Sequence, residues 1–338
     1  MAPNANTHDE VELALFEARW RTSLQGTSLL DELTVCVACN DASAGHRMGC
    51  GLLGLKIADG EHRIDAMEEL YLIMRPLLDN PSIAPAIRLE TEMIYHSTRG
   101  DTERAEEAAD QLLRVARNEP DLTMRAQGLL NVGMAYRLAG RNDDAAAVLL
   151  ELLDFSVALG QLSRSSFAFL ALARVYLAAA DLPRARDVMQ KLEALTGDEQ
   201  DPHVTRDRLY MLGRLALDEG NIEEAAQRYW MLAAQTSASE SVNRQAAVLA
   251  LGLRIGIHQH APIGKLRMIV EQLEAAHTQT RSRGLQDFEA HALALGLRNC
   301  GELEKGLLLL TEYITIHRRD KFAAPKYLSD LLGELQGS

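Results

Sequence analysis

Three arginines stand forty residues apart, at Arg174, Arg214 and Arg254. A guanidinium offers its N–H donors as a planar fork that grips a carboxylate or phosphate with two bonds at once, so a row of them predicts binding of an acidic peptide or another anionic group. The competing reading is that carboxylates such as Glu90, Asp207 or Asp218 neutralise these cations internally, leaving them only to solubilise a surface. In a chain of formal net charge −13, a concentrated basic row is unusual under either reading.

A second constellation, Cys36, Cys39, His46 and Cys50, reads C-x2-C-x6-H-x3-C and places four soft donors within fifteen residues, which invites zinc. Cys36 and Cys39 lie in the apolar run Leu33-Thr34-Val35-Cys36-Val37-Ala38-Cys39, where cysteine behaves as a small helix-packing hydrophobe. The expectation is therefore packing, with no metal and no cofactor.

Other chemistry finds no foothold in the sequence. Nucleophile-elbow, P-loop, dinucleotide-fingerprint and HExxH patterns are absent, and His258 and His260, two apart, would diverge on a helix. The acid pairs Glu106-Glu107, Asp143-Asp144 and Glu223-Glu224 follow turns, where they favour a helix macrodipole and read as solvated faces. A non-enzymatic protein is expected.

The elements that must carry these residues are announced by punctuation. Turn signatures recur about every forty residues: Asp59-Gly60-Glu61, Arg99-Gly100-Asp101, Ala139-Gly140-Arg141-Asn142, Ala180-Asp181, Glu219-Gly220-Asn221, His260-Ala261-Pro262 and Cys300-Gly301-Glu302. Such a period marks one supersecondary unit stacked repeatedly. Within a unit the apolar spacing is helical on both sides of the turn, as in Leu129, Val132 and Tyr136 before Gly140 and Ala145, Leu149 and Leu152 after it. Abundant Leu and Ala and only 5% aromatics favour helices over strands, so an all-α solenoid of about seven to eight hairpins is expected.

The net charge opposes non-specific adhesion to nucleic acid or an anionic membrane. The N-terminal Met1-Ala2-Pro3-Asn4-Ala5-Asn6 lacks a basic and then apolar signal pattern. The apolar run from Ser165 to Leu182 is broken by Arg174, short of the roughly 18 to 20 uncharged residues that a membrane span needs. Four cysteines are too few for a disulfide scaffold, and a cytoplasmic location is expected.

The small residues Gly133, Ala173 and Gly213 before each turn, Tyr136 and Tyr176 beyond two of them, and Ala105, Ala145, Ala185 and Ala225 after the turns resemble the tetratricopeptide repeat (TPR). The resemblance covers about residues 10 to 320, with a period of forty in place of thirty-four, so both helices should be longer by half a turn to a turn. Long repeats of this kind are similar to the sensor superhelix of the MalT-type bacterial transcription activator and to peptide-sensing regulators. The unit around His260 departs from the pattern at Gly256 and Lys265, and the last unit at Leu297 and Gly306. The expected organisation is a disordered segment 1–8, a repeat array 9–322 and a capping helix 323–338 carrying Tyr327, Leu328, Leu331, Leu332 and Leu335.

The resemblance implies a right-handed superhelix whose first helices line a concave groove. Carried over unit by unit, its groove positions are Arg174, Arg214 and Arg254, with Arg137 and Arg298 one turn further on and Gln127, Phe167, Tyr210, Phe288 and His291 earlier on the same helices. The implied function is a non-catalytic scaffold that captures a peptide, a protein segment or a small anionic effector in regulation. The alternatives are an effector sensor acting on transcription through a partner, because no DNA-binding motif stands outside the array, and a metal protein built on Cys36 to Cys50. A weakly capped apolar end would also offer a surface for homodimerisation.

Overall fold

The computed structural model describes residues 13, 15–16, 26–60, 63–158, 160, 162–196, 202–236, 242–279, 287–319 and 326–337. The expected segment 1–8 lies outside them. All regular structure among the described residues is helical. Helix α1 (Gly26–Ala38) is followed by seven pairs: α2 (Ala44–Gly60) with α3 (Ile64–Leu78), α4 (Pro85–Arg99) with α5 (Thr102–Asn118), α6 (Leu122–Leu138) with α7 (Asn142–Ala158), α8 (Leu162–Ala178) with α9 (Leu182–Thr196), α10 (Pro202–Asp218) with α11 (Ile222–Gln235), α12 (Val242–His258) with α13 (Ile263–Gln279), and α14 (Asp287–Asn299) with α15 (Leu303–Arg319). A final helix, α16, runs from Lys326 to Gln336.

The forty-residue punctuation is a backbone event. Left-handed φ values occur at Gly100, Gly140, Ala180, Gly220, His260 and Gly301, between 53° and 84°. Each such residue closes a Schellman turn, in which the next N–H reaches back five residues: Arg141 to Tyr136 O and Asn221 to Ala216 O, both at 2.8 Å. That next residue often caps the following helix with its side chain, as Asp101 does for Arg104 N and Asn221 for Glu224 N. Ala180 and His260 show that the period persists where glycine is missing. A left-handed non-glycine residue costs about 1–2 kcal/mol, and the larger chain entropy of glycine returns part of this, so His260→Gly should stabilise by about 0.5–1 kcal/mol. A urea midpoint that stays put or falls at constant slope would contradict this.

Second helices such as α5 and α9 bury one stripe, whereas the first helices α8 and α14 are buried nearly all round. On α5 the stripe comprises Ala105, Ala108, Ala109, Leu112 and Ala116, three or four residues apart, and the small side chains let neighbouring helices come close. Glycine permits close approach at several points, of which two illustrate the kinds of contact. A Cβ on Gly133 would sit 2.6 Å from Leu149 Cγ, within the α6/α7 hairpin. One on Gly306 would meet the backbone oxygen of Ala294 at 3.1 Å, so the departure at Gly306 reflects contact between α15 and α14.

The described residues divide into two compact units, one within 1–131 and the other within 132–338. In the first, the core includes Leu33, Val37, Met48, Leu55, Leu70 and Met74, each fully buried. In the second, Ala250, Leu251, Leu253, Leu273, Leu293 and Leu310 are fully buried. First helices of successive pairs touch one another in this second unit, α8 with α10, α10 with α12 and α12 with α14, and α14 also touches the final helix α16. A row of first helices therefore presents one common face.

Candidate ligand-binding cleft

Arg174, Arg214 and Arg254 are each the thirteenth residue of a seventeen-residue first helix, α8, α10 and α12 respectively. Equal phase does not give them equal surroundings. Arg174 forms an ion pair with Asp207 on α10, Nη2 to Oδ2 at 2.8 Å, and stands outside the cleft described next. Arg214 and Arg254 converge instead on a cleft of about 250 Å³, whose walls also include Asp218, Phe288, His291 and Tyr327. Leu177 and Leu182 supply an apolar edge.

Phe288 is the hub. Its ring is only 2% exposed and has the Arg214 Cζ 5.0 Å and the Arg254 Cζ 5.3 Å from its centroid. Tyr210 meets the same ring edge-on at 6.0 Å. Both guanidinium groups lean on an aromatic face, which fixes them in plane and replaces part of their lost hydration. Tyr327, delivered by α16, lies 5.9 Å below the Arg214 Cζ and meets the His291 ring edge-on at 5.2 Å.

The two cations share one nearby carboxylate of the wall. Arg254 Nη1 donates to Asp218 Oδ1 at 3.2 Å, while the Arg214 Nε lies 3.8 Å from Asp218 Oδ2, beyond hydrogen-bond reach. The Nε–H groups of both arginines are buried without a hydrogen-bond partner. These side chains are 14% and 13% exposed, so an incoming anion would meet them in a partly desolvated setting where charge-assisted bonds are strong.

Behind the wall, Glu289 is 3% exposed and accepts a hydrogen bond from the Tyr210 hydroxyl at 3.1 Å. Burial is the main reason that its pKa is raised from 4.5 to about 6, with the Arg214 charge pulling the other way. His291 is held down to about 3, first by burial and then by Arg254 and Arg214, so it is a neutral imidazole at physiological pH. Burial also pushes the Tyr327 and Tyr210 phenols upward, and both remain neutral donors.

A carboxyl that binds its proton more tightly when folded stabilises the fold fully below about pH 4.5 and loses that contribution as pH rises through about 6, roughly 2 kcal/mol for Glu289. The Glu289→Gln variant should therefore gain stability relative to the unmodified chain between pH 4.5 and pH 7, as read from paired urea titrations. The depressed His291 acts with the opposite sign, losing its contribution as pH falls below 6.5 toward about 3, but it is common to both proteins. A stability difference independent of pH would remove Glu289 as the titrating group.

The other sequence-derived positions are spread more widely. Arg298 is exposed near the end of α14, and Phe167 is exposed on α8. Arg137 is half-buried near the end of α6. Gln127 belongs to the first unit and bonds to Asn131 at 3.1 Å. Glu90, weighed above as an arginine neutraliser, pairs with Lys56 at 2.6 Å and accepts from Asn131. Asp207 and Asp218 do pair with arginines of the row. Tyr327 and Glu289 carry no site signal in the sequence, the one belonging to the terminal apolar stripe and the other to no motif. In the first unit, Cys36, His46 and Cys50 draw together while Cys39 is exposed and stands apart.

No family model matches the chain, and no curated protein matches it in sequence. Solved structures do resemble it. A chain of the APC/C hetero-tetramer Cut9–Hcn1 is similar over 92% of this chain with a TM-score of 0.56 and 14% identity, and this chain spans about half (52%) of that one. A Rap protein complexed with Competence and Sporulation Factor matches over 98% of both chains, with a TM-score of 0.54 and 11% identity. NprR in complex with its cognate peptide NprX matches over 86% of this chain and 82% of its own, with a TM-score of 0.51 and 15% identity. These likenesses establish a TPR-like helical-repeat fold.

Proposed function

We propose that this protein is a non-catalytic binding module that captures an acidic side chain or the terminal carboxylate of a peptide or protein segment in the cleft between α10, α12, α14 and α16. The observation that carries this reading is the pair of guanidinium groups on Phe288 with their Nε–H groups uncommitted. A cleft of about 250 Å³ is below the roughly 300–1,000 Å³ typical of whole small-molecule sites, so it suits one residue used as an anchor. The remainder of the segment would lie along the row of first helices. Two structural neighbours support the class of ligand: NprR is solved with a peptide, and Rap with its Competence and Sporulation Factor.

The charge of the site sets a pH dependence. With Glu289 ionised, the Glu289, Asp218 and Asp287 carboxylates all act on the two guanidinium charges; below about pH 6, protonation of Glu289 makes the site more positive by one charge. Affinity for an acidic peptide should therefore rise from pH 7.5 to pH 5.5, provided that the peptide carboxylate stays ionised. Fluorescence anisotropy with labelled peptides ending in Asp or Glu, against the same peptides amidated, tests the reading. Equal binding of acidic and amidated, uncharged peptides would sink it.

An effector sensor would use the same cations for a free small anion. Thermal shift separates the two readings, because a ligand present at about a hundred times its Kd stabilises by about 2.7 kcal/mol. Dicarboxylates that shift the melting temperature while acidic peptides do not would favour the sensor.

A further inference from the structure

We propose that Cys36, His46 and Cys50 form a soft-metal site suited to Zn²⁺ that staples α1 to α2. His46 and Cys50 are four residues apart on α2 and so share one face of that helix. Cys36 stands two residues before the end of α1, and the short turn through residues 39–43 brings it opposite them. Their donor atoms make a small triangle. The Cys36 Sγ lies 3.2 Å from His46 Nε2 and 3.3 Å from Cys50 Sγ, and Cys50 Sγ lies 3.5 Å from the same Nε2.

Zinc bonds sulfur at about 2.3 Å and imidazole nitrogen at about 2.0–2.1 Å, which puts tetrahedral donors roughly 3.5–3.8 Å apart. The triangle needs to open by only a few tenths of an ångström. Packing cysteines disperse their sulfur atoms among apolar side chains. Here two thiols and one imidazole nitrogen face a common point.

The frame is rigid where it matters. His46 N–H donates to Ser43 Oγ at 3.1 Å, capping α2, and Arg47 Nε donates to Val37 O at 2.7 Å, tying the start of α2 to the end of α1. Cys50 is fully buried and His46 is 6% exposed, while Cys36 is partly exposed. A fourth donor, water or a ligand, would therefore enter from the Cys36 side. Cys39 is exposed and outside the triangle, so the C-x2-C spacing is incidental.

Binding converts two thiols to thiolates: two S–H bonds break, two S–Zn bonds and one N–Zn bond form, and two protons pass to solvent. The filled site carries no net charge from its three protein ligands and the ion. Affinity should fall by up to about a hundredfold per pH unit below the thiol pKa values.

The test uses the full chain without an affinity tag, reduced and stripped of metal, then titrated with Zn²⁺ and separately with Co²⁺. About one equivalent should bind, and cobalt should develop the visible bands of a tetrahedral ion together with a near-ultraviolet thiolate charge-transfer band. Cys36→Ser and Cys50→Ser should each weaken binding at least about tenfold and reduce that band, His46→Ala should weaken it similarly, and Cys39→Ser should leave it unchanged. The cobalt spectrum of the unmodified chain decides the matter even where a variant misfolds. A spectrum without thiolate charge transfer, uptake that depends on Cys39, or a reduced chain that binds zinc no better than the Cys36→Ser/Cys50→Ser variant would overturn the proposal.

Discussion

Changing Arg214 and Arg254 together to Ala should weaken capture of an acidic peptide by about a hundredfold to a thousandfold, or roughly 3–4 kcal/mol. The size follows from placement. Both cations are largely withdrawn from water, both rest on Phe288, and both have buried Nε–H groups without a hydrogen-bond partner. The loss should appear mainly as faster dissociation, with little change in the dependence on peptide length. Lysine in both places should recover only part of the affinity, because an ammonium keeps the charge but not the planar fork. Arg174→Ala is the informative control, since that side chain is engaged with Asp207 outside the cleft. An Arg174 variant that loses as much affinity as the double variant would move the docking surface from the cleft to an extended row along the first helices.

Phe288→Ala should be the most destabilising single change near the site, at about 3–5 kcal/mol. It removes a ring that is 2% exposed, leaves a cavity beside Tyr210, and takes away the surface on which two guanidinium groups lie. In a repeat protein each unit is held mostly by its neighbours, so the damage should be local. Hydrogen exchange should show α14 to α16 losing protection while the α2/α3 hairpin in the first unit keeps its own. Phe288→Leu retains most of the buried volume and should cost well under half as much, yet still weaken peptide capture because the flat face is gone. Uniform deprotection along the chain would show that the units do not respond separately.

The repeat was readable because its cause is local. A left-handed residue, a Schellman closure and a capping Asp or Asn are chosen by a few consecutive side chains, and the apolar stripes on either side are set by helical spacing. That is why Gly100, Gly140 and Gly220 marked turns directly, and why Ala180 and His260 could be placed by period alone. The all-α class and the hairpin succession followed from the same signals.

Which side chains meet is another matter. Arg174, Arg214 and Arg254 are alike by phase, yet one is held by Asp207 and two lie over Phe288, because the helices packed beside them present different side chains. Tyr327 comes to the Arg214 guanidinium across 113 residues, and Tyr210 to Glu289 across 79, separations over which no spacing rule operates. Likewise, four soft donors were visible near the start of the chain, but only the hairpin geometry selects Cys36, His46 and Cys50 and leaves Cys39 outside. Backbone hydrogen bonds and helical periodicity act over a few residues, so the sequence alone determined the repeating hairpins. The cleft and the donor triangle depend on which side chains of different helices come face to face when those helices pack, which only the tertiary structure decided.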